Sequence, residues 1–219
     1  YSTNPMVPAP ETPGPRAWDT IAAGSEEADM KIERKPSTAL LPAPVVLLSV
    51  AGLDRDKSNI ITLAWAGTVC SDPPMLSVAI RPTRHSHRLV DAAREFVVNV
   101  PRADQLTEVD LAGVWSGAEH DKFAELGFTA TPASRVAAPL IEECPINIEC
   151  VVRHQLALGA HDLYLAEIVA VQYDEDVLDA RGRVQTRELA PVAYMEGEYW
   201  SLGRRIGIYG GAAKASGRR

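Results

Sequence analysis

From residue 40 onward the chain is written in short apolar runs. Residues 45–50, 60–66, 75–80 and 96–100 are rich in Val, Ile and Leu and are cut off by Pro, Gly and Asp. Runs this brief and this β-branched predict strands buried on one or both faces, because a helix needs a longer window with an apolar repeat of about 3.6 residues. Residues 146–152 alternate apolar and polar positions, and residues 163–171 are nearly continuous, which adds two more strands. Short strands spaced by turn residues predict a mainly β barrel or sandwich.

Helical signals are few. Ser86 is placed to cap a helix running through Val90 and Ala93, and Asp104 to open one through Leu106, Val109 and Leu111. Residues 121–126, from Asp121 to Leu126, predict a short helix that Gly127 ends. Ahead of these elements, residues 1–37 carry Pro5, Pro8, Pro10, Pro13 and Pro15 and then an acidic stretch, so no continuous helix is expected there. That segment reads as an arm, disordered by itself or wrapped around a partner subunit. Residues 38–213 are then one domain, and residues 214–219 a frayed tail.

Composition narrows the function classes. A chain of 219 residues, 46% hydrophobic, fits one domain with one core. The net charge is −7 and the basic residues are scattered, so the positive field that captures nucleic acid or anionic lipid is missing. No apolar run approaches the roughly 18 residues of a membrane span. Cys70, Cys144 and Cys150 form no CxxC pair and are odd in number, which argues against a disulfide scaffold and a cysteine zinc site. With no secretory leader pattern at the start, the expected compartment is the cytoplasm.

Several familiar sites are missing. There is no Gly-x-Gly-x-x-Gly, no Gly-x-x-x-x-Gly-Lys-Ser/Thr and no Gly-x-Ser-x-Gly, so neither a Rossmann site, a P-loop nor a nucleophile elbow is indicated. What the chain holds is an ordered series of pieces. Residues 58–65 read SNIITLAW, 71–74 SDPP, 80–86 IRPTRHS, 96–101 FVVNVP, 116–123 SGAEHDKF, and 139–145 PLIEECP leading to GAHD at 159–162. In that order and spacing they resemble the flavin-reductase-like FMN-binding family, close to its flavoredoxin branch, over about residues 40–210.

The resemblance implies an FMN-binding split β-barrel with a few short helices, holding FMN and working as a homodimer. It implies an oxidoreductase that takes hydride from NADH or NADPH, or else a flavoredoxin-like carrier with a protein electron donor. A monooxygenase or electron-transfer protein is the partner each of these would serve. It also implies positions: Asn59, Thr62, Leu63 and Ala64 along the flavin ring and ribityl chain, Ser71 and Asp72 near the pyrimidine end, and Lys122 reaching the phosphate. His161 would face the open side of the ring, where nicotinamide approaches, which makes it the catalytic candidate. Trp65 reads as core or dimer packing rather than a stacking partner. Tyr194, Tyr199, Trp200 and the arginine-bearing run 202–207 have the composition of an interface.

The phosphate needs a cradle. Arg81, Arg84, His85 and Ser86 stand where a strand gives way to a predicted helix, and free N–H groups, the helix dipole and arginine forks all attract an anion there. Solvated loop charges are the alternative for Arg81 and Arg84, and an exposed helix-start lysine is the alternative for Lys122. Asn59 could be a turn residue, Thr62 a satisfied strand hydroxyl and His161 a structural histidine. His85 and His87 lack a carboxylate or cysteine companion for a metal.

Overall fold

The computed structural model describes residues 31–53 and 57–212, so the proline-rich start of the expected arm and the 214–219 tail lie outside the described residues. Residues 31–39 are exposed and without regular structure, and the chain divides at Ala39. The unit that follows opens with β1 (Ala43–Pro44), β2 (Val46–Val50), β3 (Asn59–Leu63), β4 (Ala66–Ser71) and β5 (Pro74–Ile80). Helix α1 (His85–Ala93) and strand β6 (Glu95–Val100) come next, then α2 (Leu106–Val114) and α3 (Lys122–Leu126). Two very short strands, β7 (Ala130–Thr131) and β8 (Leu140–Ile141), precede the long hairpin of β9 (Ile146–Ala157) and β10 (Asp162–Tyr173). The described chain closes with α4 (Thr186–Leu189), β11 (Val192–Met195) and β12 (Glu198–Ser201).

Seven strands make one antiparallel sheet in the order β3-β2-β6-β9-β10-β5-β4. Its two outermost strands, β3 and β4, are consecutive in sequence and joined through Ala64 and Trp65 alone. A sheet whose opposite edges are linked by two residues has to curl on itself. The Ala79 N–H donates to the Trp65 carbonyl at 2.9 Å, which ties that corner to β5. Bulges between Leu165 and Ala166 and between Ile168 and Ala170 bend the long β9–β10 hairpin into the same curve. The result is the expected mainly β architecture, a curled half-barrel with few short helices.

Strand β2 explains why the first apolar run is continuous. Val46, Leu48 and Val50 face the barrel interior with Phe96, Val98, Cys150 and Tyr164, while Leu47 joins Val45, Ile60, Val109, Ala112 and Ile141 on the outer side under α2. Both faces are covered, so alternation disappears. At the core's polar centre Asn99 is fully buried. Its Nδ2 donates to the Leu47 carbonyl and Ser49 Oγ, and its Oδ1 accepts from the Ile141 N–H and Asn147 Nδ2.

Three local expectations change. The run 60–66 is two elements, because the chain turns at Ala64–Trp65 into β4. Helix α1 starts one residue before Ser86, with Arg84 in extended conformation at its N-cap and no side-chain cap. Asp104 lies inside a 3-10 turn, Ala103–Gln105, whose entry is held by Gln105 Oε1 accepting from the Arg102 N–H at 2.7 Å. By contrast, Asp121 does cap α3, accepting from the Ala124 N–H, and Gly127 ends it at φ +72°.

Candidate functional site

A groove follows the outer rim of β3, the edge strand of the sheet. It has three connected parts. The first is a slot of about 260 Å³ walled by Leu63, Ala64, Trp65, Ala79, Arg81, His161, Tyr194 and Tyr199. The second is a narrow corner of about 100 Å³, which meets the slot at Ile61 and Arg84 and is lined by Asn59, His85, Ser86, Gly117 and Lys122. The third is a wider cavity of about 760 Å³ that meets the corner at Asn59, His85 and Gly117.

The corner is built around a buried cation. Lys122 is 2% exposed, and its Nζ donates to the Ile60 carbonyl at 2.8 Å and the Ala112 carbonyl at 2.7 Å. An ammonium has three donors, so one remains for the corner. Among the described residues no carboxylate pairs with it. Burial, with the Arg84 charge adding to it, lowers its pKa to about 8. A desolvated cation without a counterion is costly unless an anion arrives, so this corner is electrostatically incomplete.

The rest of the corner is fixed by tertiary contacts. Asn59 Nδ2 donates to Ser86 Oγ at 2.8 Å, which joins β3 to the first turn of α1. Ser86 therefore spends its hydroxyl on Asn59, where the sequence suggests a cap. Gly117 sits against that pair: a Cβ there would come within 2.1 Å of Asn59 Oδ1. Burial, and then the Arg88 and Lys122 charges, hold the His85 pKa below the ordinary imidazole value. The corner thus offers cationic and neutral donor groups to an anion at a helix start.

The slot sets aromatic walls beside Arg81 and Arg84. His161 ends the β9–β10 turn, where Gly159 takes φ +98° and the Leu158 N–H donates to the His161 carbonyl. Its ring stacks on Trp65 at 6.2 Å and 8°, and Arg81 Nε donates to its Nε2 at 3.4 Å. Accepting there puts the ring proton on Nδ1. Burial and the Arg81 charge keep its pKa low. Tyr199 donates to Asp110 Oδ1 at 3.0 Å, and burial with that bond pushes its pKa up to about 12. Tyr194 bridges Trp65 and Tyr199, with centroids 6.1 Å from each.

Most of the sequence-predicted residues meet along this groove, but not all as expected. Asn59, Arg84, His85, Ser86 and Lys122 share the corner, and Thr62, Leu63, Ala64, Arg81 and His161 share the slot. Arg81 is therefore a slot residue, opposite His161, and Arg84 alone of the two arginines touches both parts. Thr62 lines the slot, and its hydroxyl is committed to the Val109 carbonyl of α2. Lys122 is buried, which removes the exposed-lysine alternative.

Ser71 and Asp72 are not brought to the groove. They lie in the exposed β4–β5 turn, at the far end of the six-residue β4, about 20 Å of extended chain from the Ala64–Trp65 corner. Trp65 is not a core residue: it is 45% exposed, and its ring stacks on His161 at the slot. His87 is structural, with Nε2 at 2.8 Å from Asp162 Oδ2 and its ring edge-on to Tyr164. No group of three metal-ligating side chains occurs among the described residues. Tyr194, Tyr199, Trp115 and Arg88 were missed as groove residues, because single aromatics and arginines outside a motif carry no positional signal.

Comparison with known proteins supplies the remaining findings. Residues 38–203 match the family model for the flavin reductase like domain. The flavoredoxin of Desulfovibrio vulgaris (Miyazaki F) is 31% identical with a TM-score of 0.77, covering 82% of this chain and 97% of that one. The flavoredoxin of Methanosarcina acetivorans is 26% identical with a TM-score of 0.79, covering 85% and 99%. The reductase component of a 4-nitrophenol monooxygenase from Rhodococcus opacus is 28% identical over 111 residues, 51% of this chain and 56% of that one.

Proposed function

The chain belongs to the flavin reductase like family, and from that premise we propose that it is an FMN-binding oxidoreductase that takes hydride from NADH or NADPH. The observation that carries this reading is the buried Lys122 ammonium, without a carboxylate partner among the described residues and set beside Arg84, His85 and Ser86 where an anionic tail would end. The fit to FMN is good in kind. A phosphate supplies the missing counter-charge, a narrow corner suits a single phosphate, and an apolar, aromatic-walled slot suits a planar ring.

The roles of the chain's own residues follow. Lys122 and Arg84 hold the phosphate with charge-assisted bonds, and Ser86 presents its backbone at the start of α1. Leu63, Ala64 and Ala79 exclude water from the slot. Arg81 puts a positive charge at the slot, suited to stabilising negative charge that develops there. His161, kept neutral by its surroundings, holds a proton at Nδ1 beside the open face. When bound, FMN supplies the two-electron acceptor, so no acid–base dyad is required of the protein.

A homodimer is part of the proposal. Trp65, Val69, Leu156, Leu158, Trp200 and Leu202 are each at least 45% exposed, and large apolar groups left open in this number support a covered surface. Sedimentation of the purified chain at about twice the monomer mass is the expected result. The similarity to flavoredoxins favours a second reading, an electron carrier served by a protein donor. Purified protein mixed with FMN and NADH or NADPH separates the two: the first reading expects loss of nicotinamide absorbance, and a yellow protein inert to both nicotinamides supports the second. Failure to bind FMN at all would reject both.

A further inference from the structure

The hairpin that carries His161 gets little hold from packing at its end. Pairing of β9 with β6 stops at Val151, the rest of β9 pairs with β10, and residues 156–160 are exposed. Hairpin ends of this kind open easily, because few buried apolar contacts oppose the motion. A ring that must face a ligand from this position needs another anchor.

Helix α1 supplies one. His87, Asp91 and the C-cap residue Arg94 stand four and three positions apart, so they share one face of the helix, and each bonds to the hairpin. His87 Nε2 donates to Asp162 Oδ2 at 2.8 Å, the Tyr164 hydroxyl donates to Asp91 Oδ1 at 2.9 Å, and Arg94 Nη1 donates to Gln155 Oε1 at 2.7 Å. Gln155 Nε2 in turn lies 3.4 Å from Asp162 Oδ2. Burial, and then the Asp91 bond, push the Tyr164 phenol pKa up, which keeps it a donor. The His87 and Asp162 side chains are 12% and 15% exposed, so water competes poorly for their bond. All six residues stand outside the walls of the groove.

Asp162 is the neighbour of His161. The two side chains leave the chain on opposite sides, Asp162 toward His87 and His161 toward Trp65 and Arg81. The same helix begins at the phosphate corner, where Ser86 is held by Asn59. We propose that this face of α1 is a clamp, with His87 and Asp162 as positioning residues that set the His161 ring at the slot in register with the phosphate corner. The proposal rests on the hydride-transfer reading, since that reading gives His161 its part in turnover. Hydrogen bonds suit the task because they fix direction, and an error of about 1 Å in placing a reacting group can cost on the order of 100-fold in rate.

The test compares Asp162→Ala, Asp162→Asn and His87→Ala, each alone and together with His161→Ala, in the FMN-saturated protein. Asp162→Ala and His87→Ala are each expected to lower kcat with NADH or NADPH roughly tenfold while FMN Kd stays within about threefold. Asp162→Asn keeps an oxygen for the His87 N–H and is expected to recover most of the loss. With His161→Ala already present, Asp162→Ala is expected to add nothing, since the ring it places is gone. Proton NMR of the histidine rings reads the same placement without turnover. The His161 signal, identified by its loss in His161→Ala, is expected to move in Asp162→Ala and to return in Asp162→Asn.

Several results overturn the clamp while leaving FMN binding intact. They are an unchanged kcat in both alanine variants, an equal loss with and without His161, an Asp162→Asn variant as slow as Asp162→Ala, and a His161 signal that does not move. Full turnover in His161→Ala overturns it too, because the ring being placed then has no task. If Asp162→Ala fails to fold, His87→Ala breaks the same bond from the helix side and carries the comparison. A wild-type protein that binds FMN but oxidises neither nicotinamide rejects the hydride-transfer reading by itself. The NMR comparison then decides the clamp alone, a moving His161 signal supporting it and a fixed one overturning it.

Discussion

Replacing Lys122 with methionine keeps most of the side-chain volume and removes the buried charge. In the FMN complex the lost interaction is a hydrogen bond between charged groups, worth about 1.5–3 kcal/mol, so Kd should rise roughly 10- to 150-fold. The fold responds differently. The folded-state pKa of Lys122 lies at about 8, below the model-compound value of 10.5. Its charged form therefore opposes folding, fully below pH about 8 and progressively less as pH climbs toward the unfolded value. The size is at most about 3 kcal/mol. Methionine removes that penalty but leaves the Ile60 and Ala112 carbonyls without their donor, about 1–3 kcal/mol each. The two effects nearly offset, so stability should move little while affinity collapses.

The same chemistry gives a pH profile for the wild-type protein. A bound phosphate dianion restores the lysine's preference for its proton, so above pH 8 binding must take one up. The flavin phosphate is itself ionised above pH about 7 and adds no slope there. FMN Kd should accordingly be nearly flat from pH 7 to 8 and weaken about tenfold by pH 9. Titration of apoprotein by flavin fluorescence quenching, for wild type and Lys122→Met, measures both effects. A methionine variant that binds within twofold of wild type, or a wild-type Kd that stays level through pH 9, refutes the assignment.

Other expectations are simpler. Arg84→Ala should raise FMN Kd by the equivalent of about 1.5–3 kcal/mol, whereas Arg81→Ala, placed in the slot with His161, should cost more in turnover than in affinity. Equal effects of the two on Kd would contradict the division of the groove. Gly117→Ala should displace Asn59 from Ser86 and weaken FMN binding at least tenfold, read by the same titration. Asn99→Leu strands the Ile141 N–H and the Leu47 carbonyl in the core. It should lower unfolding free energy by about 2–4 kcal/mol in urea denaturation.

The fold was legible where burial is strong. Strands β2, β5 and β6 announce themselves because buried faces demand apolar, β-branched residues with little interruption. Strand β4 did not, since it is an edge strand, largely exposed, and reads AGTVCS with no apolar rhythm. The break at Ala64–Trp65 was hidden for a related reason: neither residue is a turn former, and the bend is imposed by the sheet closing on itself. Ser86 shows the limit of local rules, for its hydroxyl was claimed by Asn59, 27 positions away. The corner residues were found because they cluster in two short stretches. Tyr194 and Tyr199 reach the slot only because β1 pairs with β11, a long-range event that leaves no mark beside them.

Placing the groove on the sheet's rim has a consequence for how such a protein can change. Interior positions are held by packing on two faces, so almost any replacement there is felt by the whole molecule. Rim positions such as Ala64 and Trp65 touch the interior on one side at most. New ligand preferences can therefore accumulate along this border while the barrel beneath remains as it was, and laboratory diversification confined to that border should yield folded variants far more often than the same effort spent inside.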